Sequence, residues 1–359
     1  MKKTLSLILT IVLMVTLLAG CAGTTVVINN CDCPCKDPNF TFPNNNTTPT
    51  GALKTGLSVS VKISDSVSAT AEAEGAAKYD ITLAAVTVDS NGVIVSCVID
   101  SVPATVKFNA SGAIVSDLAM AVPTKNELGE NYGMVAWGGA IAEWDQQVAA
   151  VAKYAEGKTV EQLKNGDIDM TTGMAKDGTD LASSATIYLA GYVYAIEAAA
   201  NNAKALGAQA GDKLVLTTLN SVKSSANATA EKNGTVQLDS DIVAMTVNNG
   251  VITSCYIDAV QAKVSFDIAG QITTDLTAPV KTKNELGADY GMVAWGSAIA
   301  EWNDQAAAFA SYVTGKTAAE VAGISVNEST KPADGTDLSA SVTIAIGGFQ
   351  ALIAKAMQQ

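Results

Sequence analysis

The sequence predicts an α+β protein of two tandem repeats, each an antiparallel sheet followed by helices that pack on it. Three observations lead to this prediction. A 24-residue segment occurs twice, because Thr124–Gln147 and Thr282–Gln305 are identical at 19 positions and differ at 5. Each copy opens with β-branched, alternating segments and closes with segments of helical periodicity. Strands that precede helices in this way favour an antiparallel sheet covered by helices on one side.

The two copies have the size of ordinary globular domains. The offset between them is 158 residues (282 − 124), and it also carries Asn91–Asp100 onto Asn249–Asp258. Repeats that stack into solenoids have periods of ~20–50 residues, so this period indicates a duplicated domain. We place the first repeat at residues 56–207 and the second at 214–359.

Five β-rich segments predict the strands of the first repeat. The hairpin signal Asn91-Gly92 separates the second from the third, and Asn249-Gly250 repeats that signal in the second copy. The segments are 57–64, 79–88, 93–99, 104–109 and 114–118.

Two helices are expected in each copy. The first follows from the helical spacing of Trp137, Ile141, Trp144, Val148 and Val151 and of their counterparts in the second copy. We expect its tryptophans, which include Trp295 and Trp302, to be buried in the core. The alternative is a platform on which a flat ring or a sugar stacks. The second helix is expected from about Ser183 to Leu206, and its twin from near Ser341 to the end of the chain.

Composition excludes several classes of function. The chain has no histidine, all 22 of its basic residues are lysine, and its net charge is −13. It therefore has no imidazole base for a Ser-His-Asp triad and no guanidinium group for a bidentate anion clamp. An acidic chain without arginine is also a poor nucleic-acid binder.

The N-terminal segment has the pattern of a lipoprotein signal peptide. Lys2 and Lys3 precede an apolar run that is too short for a comfortable membrane span, and Leu18-Ala19-Gly20-Cys21 ends it. This junction resembles the bacterial lipobox. The resemblance implies that residues 1–20 are cleaved off and that Cys21 carries the lipid. Two or three acyl chains anchor a protein stably, so we expect an extracytoplasmic protein attached to the bacterial cell membrane.

Residues 21–55 are expected to form a Cys/Asn/Pro-rich linker. Cys31, Cys33 and Cys35 could hold a soft metal, but the paired C-x₂-C spacing is missing, which favours disulfide chemistry or inert thiols. Cys97 and Cys255 occupy equivalent places in apolar strands and are predicted to be small buried hydrophobes.

Two further sets of residues are candidates for chemistry. Glu127 and Glu143 could form a carboxylate pair, or they could lie on a solvated face. The segment Asp180–Thr186 precedes an alanine-rich stretch, and a helix that begins there would offer free backbone amides to a phosphate. The alternative is an ordinary Ser or Asp helix cap.

This last segment resembles a motif of the FMN-binding domain family of exported bacterial proteins. The family's motif is D-x-x-S-G-A-T, and Asp180, Ser183, Ala185 and Thr186 match it while Ser184 replaces the glycine. The resemblance implies that a flavin transferase esterifies FMN to Thr186. In the second copy Asp337 and Thr343 match, whereas Ala340, Ser341 and Val342 depart, so Thr186 is the preferred attachment site.

Two functions follow as hypotheses. The first is a flavin-carrying electron-transfer lipoprotein whose partners are envelope redox proteins and a flavin transferase. The second is a non-catalytic cell-surface lipoprotein that binds a ligand or a protein and has lost the flavin. A hydrolase is a distant third, and the sequence does not decide whether the protein is an enzyme.

We predict that Cys21→Ser releases the protein from the membrane fraction, because no acyl chains can then be attached. Immunoblots of membrane and soluble fractions measure this, with Cys31→Ser as the matched control that stays anchored. A Cys21→Ser variant that is fully processed and still anchored would contradict the lipobox interpretation.

Overall fold

The computed structural model describes residues 51–359, which belong to one compact unit. The predicted signal peptide, Cys21 and the cluster Cys31, Cys33 and Cys35 lie outside the described residues. Within residues 51–359, no helix combines the length and the apolar character that crossing a membrane requires.

The first half begins with a three-stranded antiparallel meander of order β1-β2-β3. The Asn91-Gly92 turn forms as predicted: Asp89 Oδ1 accepts hydrogen bonds from the amides of Asn91 (2.8 Å) and Val93 (2.9 Å). Two predicted strands, 93–99 and 104–109, are a single strand. Pro103 does not interrupt it, because β3 lies at the edge of the sheet, where a missing N–H breaks no ladder. The strands are β1 Lys54–Lys62, β2 Gly75–Val88 and β3 Ile94–Phe108.

Six helices and a short two-stranded ribbon follow. The two 12-residue helices, α3 and α6, pack on one face of the sheet, and Trp144, Val151 and Ile196 are buried there. The helices are α1 Lys125–Leu128, α2 Met134–Gly138, α3 Trp144–Ala155, α4 Val160–Asn165, α5 Asp180–Ser184 and α6 Ala190–Asn201, and the ribbon is β4 Ile168–Asp169 with β5 Met174–Ala175.

The second half contains a three-stranded antiparallel sheet and five helices in a similar order. The sheet has the order β6-β7-β8, and α9 and α11 cover one of its faces. The elements are β6 Lys213–Ser221, β7 Gly234–Asn248, β8 Val251–Phe266, α7 Lys283–Leu286, α8 Met292–Gly296, α9 Trp302–Val313, α10 Ala318–Ala322 and α11 Gly347–Ala356.

The faces of the two sheets that the helices leave free pack against each other. Along β2, Ala84 and Val86 face the helices, whereas Ile81, Leu83 and Ala85 belong to a core shared with Leu238 and Ile242 of β7. Successive side chains of a strand point to opposite faces, so every second residue serves each core. Each sheet is thereby buried on both faces.

Contacts between the halves are reciprocal. The Ala69 amide donates to the Gly270 carbonyl (2.9 Å), and the Ala228 amide donates to the Gly112 carbonyl (2.8 Å). The rings of Phe108 and Phe266, 158 residues apart, stack with centroids 4.1 Å apart. An interface in which residue i contacts j and the equivalent of j contacts the equivalent of i is isologous, as in two-fold dimers.

The helix expected to run from Trp137 to Val151 is wrong as a single element. Helix α2 ends at Gly138, Gly139 takes a left-handed conformation (φ +63°), and α3 begins at Trp144. Trp144 and Trp302 are buried, as predicted, but Trp137 and Trp295 are 90% and 89% exposed, which contradicts the expected core position. The break removes the shared face that a continuous helix would have given both tryptophans of a copy.

Two buried carboxylates hold the beginning of α1 and α7. Asp100 Oδ1 accepts from the amides of Ser101 (2.7 Å) and Asn126 (3.1 Å), and Asp258 Oδ1 makes the equivalent bonds in the second half. Burial raises the pKa of each carboxyl to about 6, and the hydrogen bonds offset only part of that increase.

Because these pKa values are raised in the folded state, the folded protein binds more protons than the unfolded chain between about pH 4 and pH 6. The contribution of these protons to the free energy of unfolding is complete below pH 4 and is lost as the pH rises through 6. The loss is at most about 3 kcal/mol per carboxylate. We predict that the free energy of unfolding falls over this range. We also predict that Asp100→Asn/Asp258→Asn flattens the fall, since asparagine stays neutral and its oxygen can still accept.

Urea denaturation at several pH values measures this dependence. A small residual slope is expected in the double variant, because burial also raises the pKa of Asp241. Equal slopes in the parent and the double variant would show that Asp100 and Asp258 do not titrate in this way.

Candidate functional site

A cleft in the first half is lined by aromatic rings. It has a volume of about 660 Å³, and strands β1 and β2 form its floor with Ser58, Ser60 and Thr82. We call it the aromatic cleft. Its five rings are Tyr132, Trp144, Tyr188, Tyr192 and Tyr194.

The innermost rings are fixed by a hydrogen bond and by edge packing. Trp144 is the first residue of α3 and Tyr192 lies in the first turn of α6, so the two helices bring these rings together over the sheet. The indole Nε1 of Trp144 donates to the Tyr192 hydroxyl (3.0 Å), and the rings meet edge to face with centroids 6.0 Å apart. Burial raises the pKa of Tyr192 to about 12, so its hydroxyl stays protonated at neutral pH.

A buried lysine supports the same rings. Lys125 Nζ lies 5.0 Å from the Trp144 ring and 5.3 Å from the Tyr132 ring, and Asp80 Oδ1 is 3.8 Å away. These are cation–π distances, and the ammonium therefore holds both rings in place. Lys283 makes the same pair of contacts with Tyr290 and Trp302 in the second half.

The rim of the cleft is open. Tyr188 and Tyr194 are largely exposed, whereas Ser58 is buried and its hydroxyl donates to the Ala195 carbonyl (2.7 Å). The described residues that line the cleft carry no charged side chain. Exposed rings around a neutral floor suit a flat, largely apolar ligand that stacks on them.

The second half does not repeat this lining. Ala345, Phe349 and Ala351 stand where the first half has Tyr188, Tyr192 and Tyr194, and Lys355 replaces Ala198. The Lys355 ammonium forms an ion pair with Glu127 and donates to the Thr218 carbonyl (2.7 Å). Three of the five aromatic positions have therefore changed their chemistry between the halves.

The segment predicted to bind phosphate does not have the geometry expected from the sequence. Asp180, Ser183 and Ser184 are themselves helix α5, which Thr179 caps, and the chain becomes extended at Ala185. Helix α6 begins only at Ala190, so the expectation that Thr186 opens a helix is wrong. The Thr186 amide donates to Oε1 of the fully buried Gln147 (2.8 Å), which already satisfies the group that an anion would need.

The second copy departs from the prediction in the same way. Asp337 begins a 3₁₀ turn that ends before Ser341, and α11 starts at Gly347. The Thr343 amide donates to Gln305 Oε1 (2.7 Å). In both copies a glutamine from the preceding long helix takes the place that we had assigned to phosphate.

Thr186 nevertheless lies beside the aromatic cleft. Its side chain is exposed, and the next two residues, Ile187 and Tyr188, line the cleft. Thr186 is therefore adjacent in the chain to the cleft lining, and its hydroxyl donates to Gln147 Oε1 (3.4 Å), whereas Asp180 and Ser183 remain on α5.

Two other candidates have structural roles. Glu143 is buried and accepts from the amides of Met134 and Val135, while Glu127 accepts from the Thr124 amide and pairs with Lys355, so both carboxylates already have partners. Cys97 and Cys255 are free and buried, as predicted, and burial raises the pKa of both thiols.

The sequence interpretation missed the three tyrosines of α6 and its approach. The available signal was a difference between the copies: Tyr188, Tyr192 and Tyr194 change to alanine or phenylalanine while the residues around them keep their apolar pattern. The two rings that only the first copy has, Tyr188 and Tyr194, are not needed by the shared fold.

No protein-family model matches this chain, and comparisons with curated proteins and with solved structures find no significant similarity. The resemblance to FMN-binding domains therefore stays a prediction from the motif.

Proposed function

We propose that the protein is an extracytoplasmic, lipid-anchored binding protein of two related domains, and that the aromatic cleft of the first domain holds a flat, largely apolar ligand. The observation that carries this proposal is that two exposed rings of the cleft, Tyr188 and Tyr194, are replaced by alanine in the second half. Both halves need a core, but only the first has Tyr188, Tyr192 and Tyr194 around an open cleft.

Binding suits the chemistry of the cleft better than catalysis does. Its lining has no carboxylate, ammonium or thiol to move a proton or attack a substrate. Its rings and hydroxyls supply stacking area and orientation instead.

Two further parts of the proposal rest on the sequence. The signal-peptide pattern and Cys21 support attachment to the cell membrane, and the linker supports a domain held at a short distance from it. The duplicated segments, together with the similar element order and the reciprocal contacts of Ala69 and Ala228, support a tandem of two related domains.

Riboflavin is a suitable first probe of the cleft, because it has a flat ring system and no phosphate. We predict that it binds and that its fluorescence is quenched by stacking on the tyrosines. Tyr188→Ala/Tyr194→Ala, which installs the residues of the second half, should weaken binding about tenfold, since each ring contributes about 0.5–1.5 kcal/mol beyond its buried area.

Tyr312→Ala is the matched control, because Tyr312 is partly exposed but lies on α9, outside the cleft. The affinity of this variant for riboflavin should equal that of the parent chain. Equal affinities of the parent and the double variant, or no quenching at all, would mean that the cleft is not a site for flat rings.

A covalent flavin is the second candidate function. The exposed hydroxyl of Thr186 next to the cleft favours it, since a ring tethered there could reach the tyrosines. The amide that should hold the phosphate is bonded to Gln147, and no helix begins at Thr186, so the residues do not fit the phosphate as the family motif implies. Simple ligand binding is therefore the better-supported function.

Co-expression with a flavin transferase, followed by mass spectrometry of peptides, tests this candidate. A flavin carrier would show an adduct on the Thr186 peptide that Thr186→Ala abolishes and that the matched variant Thr343→Ala retains. Since the phosphate seat is missing, we expect no adduct on either peptide. An adduct on Thr186 would make the electron-carrier function the better one.

A further inference from the structure

Two loops of nearly identical sequence expose large apolar side chains. Residues 133–142 read GMVAWGGAIA and residues 291–300 read GMVAWGSAIA. We call them the tryptophan loops. Each presents a valine, a tryptophan and an isoleucine to solvent, and all six side chains are at least 46% exposed: Val135, Trp137, Ile141, Val293, Trp295 and Ile299.

The loops are held by buried polar groups beneath them. In the first loop the carboxylate of Glu143 accepts from the Met134 and Val135 amides, at 2.8 and 3.0 Å. Gln147 Nε2 donates to the Ala142 carbonyl at 2.8 Å. Glu301 and Gln305 make the same bonds in the second loop. The exposed position of each tryptophan is therefore specified by the structure beneath it.

A glycine fixes each tryptophan ring as well. Gly133 has φ +81° and Gly291 has φ +78°, and the indole of Trp137 or Trp295 lies against it. A Cβ atom at either glycine would overlap the indole ring. The glycine thus permits both the backbone conformation and the close approach of the ring.

The loop backbone is largely satisfied from within. The Trp137 amide donates to the Gly133 carbonyl (2.9 Å), and the amides of Gly139 and Ala140 donate back to α2 at 3.1 Å each. Glu143 satisfies two further amides. Internal satisfaction is what a segment needs before it can enter an apolar phase, where an unpaired backbone group costs several kcal/mol.

We infer that the tryptophan loops insert into the interfacial region of a lipid bilayer. Between residues 133 and 142 the indole N–H is the only polar side-chain group, and tryptophan is the side chain that best suits a membrane–water interface. A docking surface for a protein would be expected to carry a polar rim with several hydrogen-bonding side chains, whereas the two loops have only Ser297 besides their tryptophans.

The short distance in sequence from Cys21 to the described residues favours a bilayer as the partner of the loops, and here the inference rests on the proposed lipid anchor. Gly51 follows Cys21 by thirty positions along the chain (51 − 21). Thirty residues span at most ~100 Å even when fully extended, so the anchor confines the domain to that distance from the bilayer. The domain would thus be held next to the bilayer, where weak insertion is enough.

The reciprocal contacts between the halves relate the two tryptophan loops by symmetry. A two-fold relation between the halves, as the contacts of Ala69 and Ala228 indicate, places equivalent loops at the same height along the axis. A bilayer that both loops enter therefore has its surface perpendicular to that axis. The net charge of −13 repels anionic lipid, so insertion would depend on apolar burial and not on charge.

The test uses the chain from residue 22 onward, which keeps the compact unit whole and lacks Cys21, so that a failed lipid anchor does not affect it. We expect it to co-sediment with phosphatidylcholine vesicles and its tryptophan emission to be quenched by brominated phosphatidylcholine. On vesicles with anionic lipid, added salt should strengthen binding, because it screens the repulsion.

Trp137→Ala/Trp295→Ala should lower the partition coefficient at least tenfold, since each buried aromatic side chain contributes well above a factor of three. Ile141→Ser/Ile299→Ser keeps Trp137 and Trp295 as fluorophores and should reduce their quenching by the brominated lipid. Val115→Ala, at an exposed valine outside the loops, is the matched control and should bind as the parent does.

Parent chain that stays in the supernatant without quenching would overturn the inference. Vesicle binding that both double variants retain would also overturn the inference. So would a protein complex that forms through Trp137 and Trp295 without any binding to vesicles. Because Cys21 is absent, each of these outcomes leaves the lipid-anchor and cleft proposals standing.

Discussion

The packing of two sheets face to face is the contact on which the described structure depends. A sheet of three strands has two faces, and the alternating residues of β2 and β7 are apolar on both. Helices α3 and α6 cover one face of the first sheet, and the second sheet covers the other. Phe108 and Phe266 stack in the shared layer, where each is completely buried. Neither sheet could expose that face to water without a large loss of hydrophobic stabilisation.

A second organising feature is a pair of polar side chains one turn apart, one at the N-cap of α3 and one in its first turn. Glu143 holds the beginning of α2, and Gln147 holds both the end of that loop and the amide of Thr186. Glu301 and Gln305 do the same on α9. Buried polar groups are costly unless all of their hydrogen bonds are made, so this network fixes the backbone of two segments that have little regular structure. The tryptophan loop and the Thr186 segment are therefore parts of one hydrogen-bonded assembly.

The two halves share this framework but differ above it. The tryptophan loops are almost unchanged between the copies, whereas the aromatic cleft belongs to the first half alone. In the second half Lys355 occupies the corresponding region and pairs with Glu127 of the first. A feature kept in both copies suits a task that both perform together, such as contact with a surface. A feature found in one copy suits a separate task, such as holding a ligand.

The sequence by itself determined much of the local structure and contains the repeated segments. The Asn91-Gly92 turn and the buried positions of Trp144 and Cys97 follow from patterns within a few residues of each other. Tertiary structure decided the rest. Trp137 has the correct helical spacing for the core, yet Gly139 and the Glu143 cap end one helix and begin another, which turns its ring outwards. The Thr186 amide, which was expected to bind an anion, donates instead to Gln147, 39 residues earlier in the chain. The rings of the cleft come from three separate segments of the chain. Local periodicity carries no information about which distant side chain will bond to a given backbone group or pack against a given ring.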